Sequence, residues 1–249
     1  AGAIDAADGW IGGEMVVVQT GDILDRGNEE EEIFSLFDEL KTQAEEAGGA
    51  VHVLNGNHEL MNAYLDFRYV TDSALGSFGS GVEADPLDSL LASLDPGELV
   101  RAAAFRPGGP VARELATRPT GLVLGTSLFV HGGILPEHAE MGLDEMNRSI
   151  QAWLRNDDPQ PEWIRGDRSP VWTRLYSDQP NLAACDTLSW VLNTLRVDRM
   201  VVGHTVQGGG SSPACGGRVW RIDVGMAEHY CGNPAVLELS GGEVRAVGM

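Results

Sequence analysis

The chain has 249 residues, 43% of them hydrophobic, and a formal net charge of −20 at pH 7. That length can bury a sizeable core, while so acidic a surface repels nucleic-acid backbones and anionic membranes and argues against both as partners. No apolar run approaches the roughly 20 residues that cross a bilayer.

The chain opens at Ala1 with neither an initiating Met nor a charged-then-apolar leader, and upstream residues are expected in the natural gene product. Met15–Thr20 is a short apolar run of strand type ending in Gly21-Asp22. Glu29–Ala47 reads as a helix, with Ile33, Phe34, Leu36, Phe37 and Leu40 along one face, acids in the first turn and Gly48-Gly49 closing it. A second strand, Ala50–Asn55, leads into Gly56-Asn57-His58-Glu59, which makes the three elements a βαβ unit. Residues from about Ser73 to Arg118 read as a mostly helical insertion or cap, with helical stretches at Pro86–Leu94, Pro96–Ala104 and Val111–Leu115. Further strands at Ser127–Val130 and Arg199–Val202 lead into His131-Gly132-Gly133 and Gly203-His204-Thr205. Arg148–Leu154 and Cys185–Leu195 have helical spacing. Val219–Val224, Ala235–Leu239 and Glu243–Val247 read as strands, the last two joined by a hairpin turn at Ser240-Gly241-Gly242. With no repeat, low-complexity tract or Pro-rich linker, a single domain over residues 1–249 is the expectation.

Three cysteines, Cys185, Cys215 and Cys231, form no CxxC pair and no zinc-like cluster. A Cys215–Cys231 disulfide with Cys185 free, or separate thiols, are both open readings.

The chemistry lies at the strand ends, where open α/β sheets place their sites. A carboxylate on Asp22, held by a rigid strand end, can bridge two divalent cations. The amide oxygen of Asn57 suits a hard or borderline metal, and His131 and His204 are each followed by small residues that leave room for a ligand. Any one of these alone reads as a cap, a turn residue or a hydrogen-bonded structural histidine. Four metal-competent groups at four strand ends point instead to a site, and an Asp, Asn, His, His set fits Mn²⁺, Fe or Zn²⁺ better than Mg²⁺ or Ca²⁺. His52, His138 and His229 lie in a strand, a loop and near the last strands, and are read as structural.

Gly21–Gly27 and Gly56–Glu59 resemble the GDxxDRG and GNHE elements of PPP-type metallophosphatases, within the calcineurin-like phosphoesterase superfamily. Five fixed residues arise by chance in roughly one window per million at ordinary frequencies, so the first element is specific. His131-Gly132-Gly133 and Gly203-His204 match two later histidine elements. Gly2–Gly13, Asp66–Thr71 and Ser169–Arg174 are similar to the Shewanella-like protein phosphatase branch. The fold implied is α/β, a calcineurin-like metallophosphoesterase β-sandwich flanked by helices, with the helical insertion and without its first strand. The resemblance implies Asp22 as the carboxylate bridging two metals, with Asn57, His131 and His204 completing the second metal's ligands. It implies His58 as general acid held by Asp25, with Arg26 and Arg174 as phosphate arginines. The reaction implied is hydrolysis of phosphomonoesters, on phosphoproteins, through metal-bridging hydroxide, with manganese as the preferred pair and iron or zinc as alternatives.

One element departs from that pattern. The family's DxH followed by glycine should precede Gly2–Gly13, and no Asp-x-His occurs in this chain. Truncation is the preferred explanation, with a DxH expected shortly upstream of Ala1. The alternatives are a hydrolase of diadenosine polyphosphates or other small phosphoesters, and a pseudo-phosphatase that only binds phospho-ligands. Oligomeric state and compartment stay open.

Overall fold

The computed structural model describes residues 2–82, 91 and 94–248. Their contacts cluster into two compact units: Gly2–Pro119 with Ser149–Pro161, and Thr120–Arg148 with the residues from Glu162 onward. The architecture is mixed α/β, with sheets flanked by helices.

The first unit contains the βαβ arrangement that the apolar spacing predicts. Strands β1 (Val16–Gln19) and β2 (Ala50–Val53) pair in parallel, Val16 opposite Ala50 and Gln19 opposite Val53. Helix α1 (Glu30–Glu46) connects them, and its Leu40 and Ala44 pack on Val51, with Trp10, Val17, Leu36, Phe37 and Val53 closing around them. Ile33, placed on that face from the sequence, is instead 36% exposed. It points to the same side as Leu40 and Ala44 but lies in the first turn of the helix, about two turns before the residues that pack on Val51. The helix ends as predicted. Gly48 N donates to Glu45 O at 3.2 Å and Gly49 N to Ala44 O at 2.8 Å, the two bonds of a Schellman closure.

Helix α2 (Asn57–Ala63) starts almost directly after β2 and is buried at every position. In the insertion, α3 (Leu99–Phe105) begins three residues later than expected, and α4 (Pro110–Leu115) contains the stretch expected at Val111–Leu115. The helix expected at Pro86–Leu94 lies, apart from Leu91 and Leu94, outside the described residues. Ala102 and Ala103 of α3 pack with Phe67 and Leu91 in a small core of their own.

The second unit holds a mixed sheet. Strand β3 (Gly121–Leu124) runs antiparallel to β4 (Ser127–Val130), and β5 (Arg199–Val202) runs parallel to β4. With β6 (Ser212–Ala214) and β7 (Val219–Arg221) the order is β3-β4-β5-β7-β6. Every residue of β4 is buried, as in strands covered on both faces. The short β3 and β6 carry too little pattern to read from sequence. A hairpin, β8 (Ala235–Ser240) and β9 (Glu243–Gly248), turns at Gly241-Gly242 as expected.

Among the described residues there are three further α-helices: α5 (Pro136–Met141), α6 (Leu143–Leu154) and α7 (Leu182–Leu195). The sequence spacing begins α6 at Arg148. The structure begins it at Leu143, because Asn147 accepts hydrogen bonds from Thr120 N at 2.8 Å and Gly121 N at 3.1 Å and so fixes the extra turn. From Ser149 onward α6 counts with the first unit. His138 lies in α5 and not in a loop; it is 1% exposed and packs edge-on against Trp163.

Cys185, early in α7, forms a disulfide with Cys215 after β6, and Cys231 is the free, exposed thiol. This corrects the Cys215–Cys231 pairing considered from spacing, since tertiary packing brings β6 to α7. Closing a loop of 30 residues should stabilise the fold by about 3.6 kcal/mol in the chain-entropy picture. Thiol titration of the oxidised, denatured protein should therefore find one free thiol, and Cys185→Ser should lower the urea midpoint.

Candidate functional site

Beyond β1 the chain turns through Gly21–Gly27 with Asp22, Asp25 and Arg26 in the left-handed region, at φ of 61°, 71° and 59°. Such conformations cost a non-glycine residue about 1–3 kcal/mol each and persist only where the surroundings hold them. Glu59, the last residue of the second motif, supplies much of that hold. Its Oε2 accepts from Asp22 N at 2.8 Å and Gly56 N at 2.7 Å; its Oε1 accepts from Ile23 N at 2.8 Å and Leu24 N at 3.2 Å. Asp25 N donates to Glu30 Oε1 at 2.5 Å, and Arg26 N to Tyr69 O at 3.0 Å. The two motif loops also press together through glycines. A Cβ on Gly21 would sit 2.4 Å from Gly56 N, and one on Gly56 2.3 Å from Asp22 Oδ1.

This packing sets His58 between two carboxylates. Its backbone N donates to Asp22 Oδ1 at 3.1 Å, its Nδ1 meets Asp25 Oδ2 at 2.5 Å, and its Nε2 lies 3.9 Å from Asp22 Oδ2. Burial pulls the ring's pKa down, but Asp22, Asp25 and Glu59 together outweigh it, so the net shift is upward and favours the imidazolium. Asn57 is buried, and its Nδ2 faces Met61 Sδ at 3.8 Å. The guanidinium of Arg26 stacks 4.5 Å from the centre of the Tyr69 ring, itself 5.3 Å from the His58 ring.

In the second unit, His131 follows β4 and His204 follows β5, adjacent parallel strands in which Val130 pairs with Val202. Gly203 N donates to His131 O at 2.8 Å, and the two rings meet with His131 Nε2 3.2 Å from His204 Nδ1. His204 sits at φ 64° inside a tight turn closed by Thr205 N donating to Gly203 O at 2.7 Å, a strained conformation of the kind found at functional sites. Trp172 packs edge-on to His204, and Arg174 Nη1 donates to His204 O and Thr205 Oγ1, both at 2.9 Å. Gly132 lets that segment approach: Gly132 N and Gly133 N both donate to Pro170 O at 2.9 Å, where a Cβ on Gly132 would collide.

Residues 9–208 match the calcineurin-like phosphoesterase family. The chain belongs to that family. Shewanella-like protein phosphatase 2 of Arabidopsis thaliana is 39% identical over 271 aligned positions, covering 96% of this chain and 69% of the relative. An uncharacterized protein of Schizosaccharomyces pombe is 32% identical, covering 93% of this chain and 68% of its own. Among solved structures, the cold-active protein-tyrosine phosphatase of a psychrophilic Shewanella species superposes with a TM-score of 0.73 at 28% identity, covering 98% of this chain and 70% of that one. This calcineurin-like phosphoesterase is thus a phosphatase of the hydrolase class, and its family is metal-dependent.

Two histidines of the second unit are spaced as ligands of one metal ion would be. With metal–nitrogen bonds of about 2.0–2.1 Å, two ligand nitrogens on one ion stand roughly 2.9–3.4 Å apart. The 3.2 Å between the His131 and His204 nitrogens lies in that range.

Sequence reasoning assigned no role to Glu59, Glu30, Asn62, Tyr69 or Arg101, which are hydrogen-bonded to the turn, to Asp25 or to one another. Glu59 was readable as the N3 partner of a helix N-terminus, three residues after Gly56. A lone arginine in the apolar run Leu99–Phe105 was the signal for Arg101.

Proposed function

We propose that this calcineurin-like phosphoesterase hydrolyses phosphomonoesters on phosphoproteins, and that both units belong to one catalytic domain. The observation that carries the reading is the His58–Asp25 pair, held at 2.5 Å with Asp22 against the other ring nitrogen. Binding a phosphate requires no such acid; expelling an alkoxide or phenoxide does. His58 protonates the leaving oxygen, and Asp25 fixes its tautomer and supports its positive charge. Arg26, braced on Tyr69, and Arg174, held beside His204, grip the phosphoryl oxygens.

Asp22, Asn57, His131 and His204 would hold one metal, with Asp22 shared with a second. Manganese is the expected ion, with iron or zinc as alternatives. Bound there, the metal supplies a Lewis acid and brings the pKa of a water molecule toward about 7. Phosphoprotein is favoured over small phosphoesters by two relatives described as protein phosphatases, one of them a protein-tyrosine phosphatase.

The test has two arms. Titration with Mn²⁺ should show binding that His204→Ala weakens by more than the roughly 10–100-fold typical of an outer-sphere change; equal affinity would remove His204 from the ligand set. With Mn²⁺ added, a phosphotyrosine peptide should be hydrolysed with a higher kcat/KM than diadenosine tetraphosphate. The reverse order would make the protein a small-molecule phosphoesterase, and binding without turnover a phospho-ligand binder.

A further inference from the structure

One buried charge in the first unit has no part in the chemistry above. Arg101, on α3, is 0% exposed, and a guanidinium removed from water persists only when well paired. Its Nη1 donates to Glu30 Oε2 at 2.7 Å and to Ala74 O at 2.8 Å, and its Nε donates to Asn62 Oδ1 at 2.7 Å. Its Nη2 stands 3.8 Å from Asp25 Oδ1, and Phe105 covers the guanidinium with its ring centre 4.8 Å from Cζ.

We propose that Arg101 is a positioning residue for leaving-group protonation, holding Asp25 in place on His58 through Asn62 and Glu30. The proposal rests on the reading of His58 as the general acid.

The argument follows from donor and acceptor inventory. Arginine only donates, so Asn62 must turn its Oδ1 toward Arg101. That leaves the Asn62 Nδ2 to donate to Asp25 Oδ1 at 3.0 Å and to His58 O at 2.9 Å. Asp25 Oδ2 is then the oxygen presented to His58 Nδ1. A second arm runs through Glu30, whose Oε2 takes Arg101 while its Oε1 takes Asp25 N. Arg101 thus ties down both the carboxylate and the left-handed backbone of Asp25. Without it Asn62 Oδ1 loses the Arg101 donor and Glu30 its buried counter-charge, so both side chains that bear on Asp25 lose an anchor.

The Mn²⁺-loaded full chain is assayed on phenyl phosphate, whose poor leaving group needs a proton, and on p-nitrophenyl phosphate, whose leaving group needs little. Arg101→Met should lower kcat on phenyl phosphate at least about tenfold more than on p-nitrophenyl phosphate, with KM little changed, and Arg101→Lys should recover part of the loss. Asn62→Ala leaves the Arg101–Glu30 pair intact and should show the same selectivity; it decides the matter if Arg101→Met does not fold. The metal-free protein gives a second readout by proton NMR. A far-downfield His58 Nδ1 proton, assigned by its absence in His58→Asn, should move upfield or broaden away in Arg101→Met or Asn62→Ala.

Equal losses on both substrates in the Arg101 and Asn62 variants, with an unmoved Nδ1 proton, overturn the proposal provided that His58→Asn remains leaving-group selective. If His58→Asn also slows both substrates equally, the acid reading itself falls and takes the proposal with it.

Discussion

Glu59→Ala should leave a protein whose motif loops no longer hold their turns, with the urea midpoint far below that of the parent. Four backbone N–H groups, from Asp22, Ile23, Leu24 and Gly56, converge on this one carboxylate, which is 0% exposed. An unsatisfied buried donor costs about 1–3 kcal/mol. Stranding four, with partial relief by rearrangement, removes about 4 kcal/mol or more from a typical total of about 5–15 kcal/mol. Glu59→Gln keeps the shape but turns an amide NH₂ toward two of the donors, so it should fall between alanine and the parent. Urea melts followed by circular dichroism check this ordering. An alanine variant within about 1 kcal/mol of the parent would show that the left-handed Asp22 and its neighbours are held by other means.

His58→Ala should lower kcat on phenyl phosphate by about 10²–10⁴, the usual worth of a positioned acid. KM and Mn²⁺ affinity should change little, because the ring is assigned neither to the metal nor to substrate binding. A loss confined to kcat marks an interaction made only in the transition state. Steady-state kinetics on phenyl and p-nitrophenyl phosphate, beside a Mn²⁺ titration, separate the cases. If KM rises and kcat holds, His58 binds substrate and another group is the acid.

Much of this was legible in the sequence because strand-end motifs are local. Asp22, Asn57, His131 and His204 each follow a short apolar run, and period and punctuation place such runs without knowledge of the fold. The chain boundaries of α1, β4 and β5 came out within a residue for the same reason. Helix α6 begins before its apolar spacing does, and the residue tied down in that extra turn, Asn147, is bonded by Thr120 and Gly121, 27 and 26 residues away.

By itself, the sequence determined the family, and it supplied the proposed metal residues and the proposed acid pair, since each is written in a contiguous motif whose spacing survives without its surroundings. Only the tertiary structure decided how the left-handed Asp22, Asp25 and Arg26 are held. It also decided that Cys185 takes Cys215, and that Arg101 reaches Asp25 through Asn62 and Glu30. Apart from the Asp25–Glu30 bond, which spans five residues, these are contacts between residues about 30–70 apart in the chain. Composition and periodicity describe what each segment can bury; which buried polar group meets which is settled only when the segments pack.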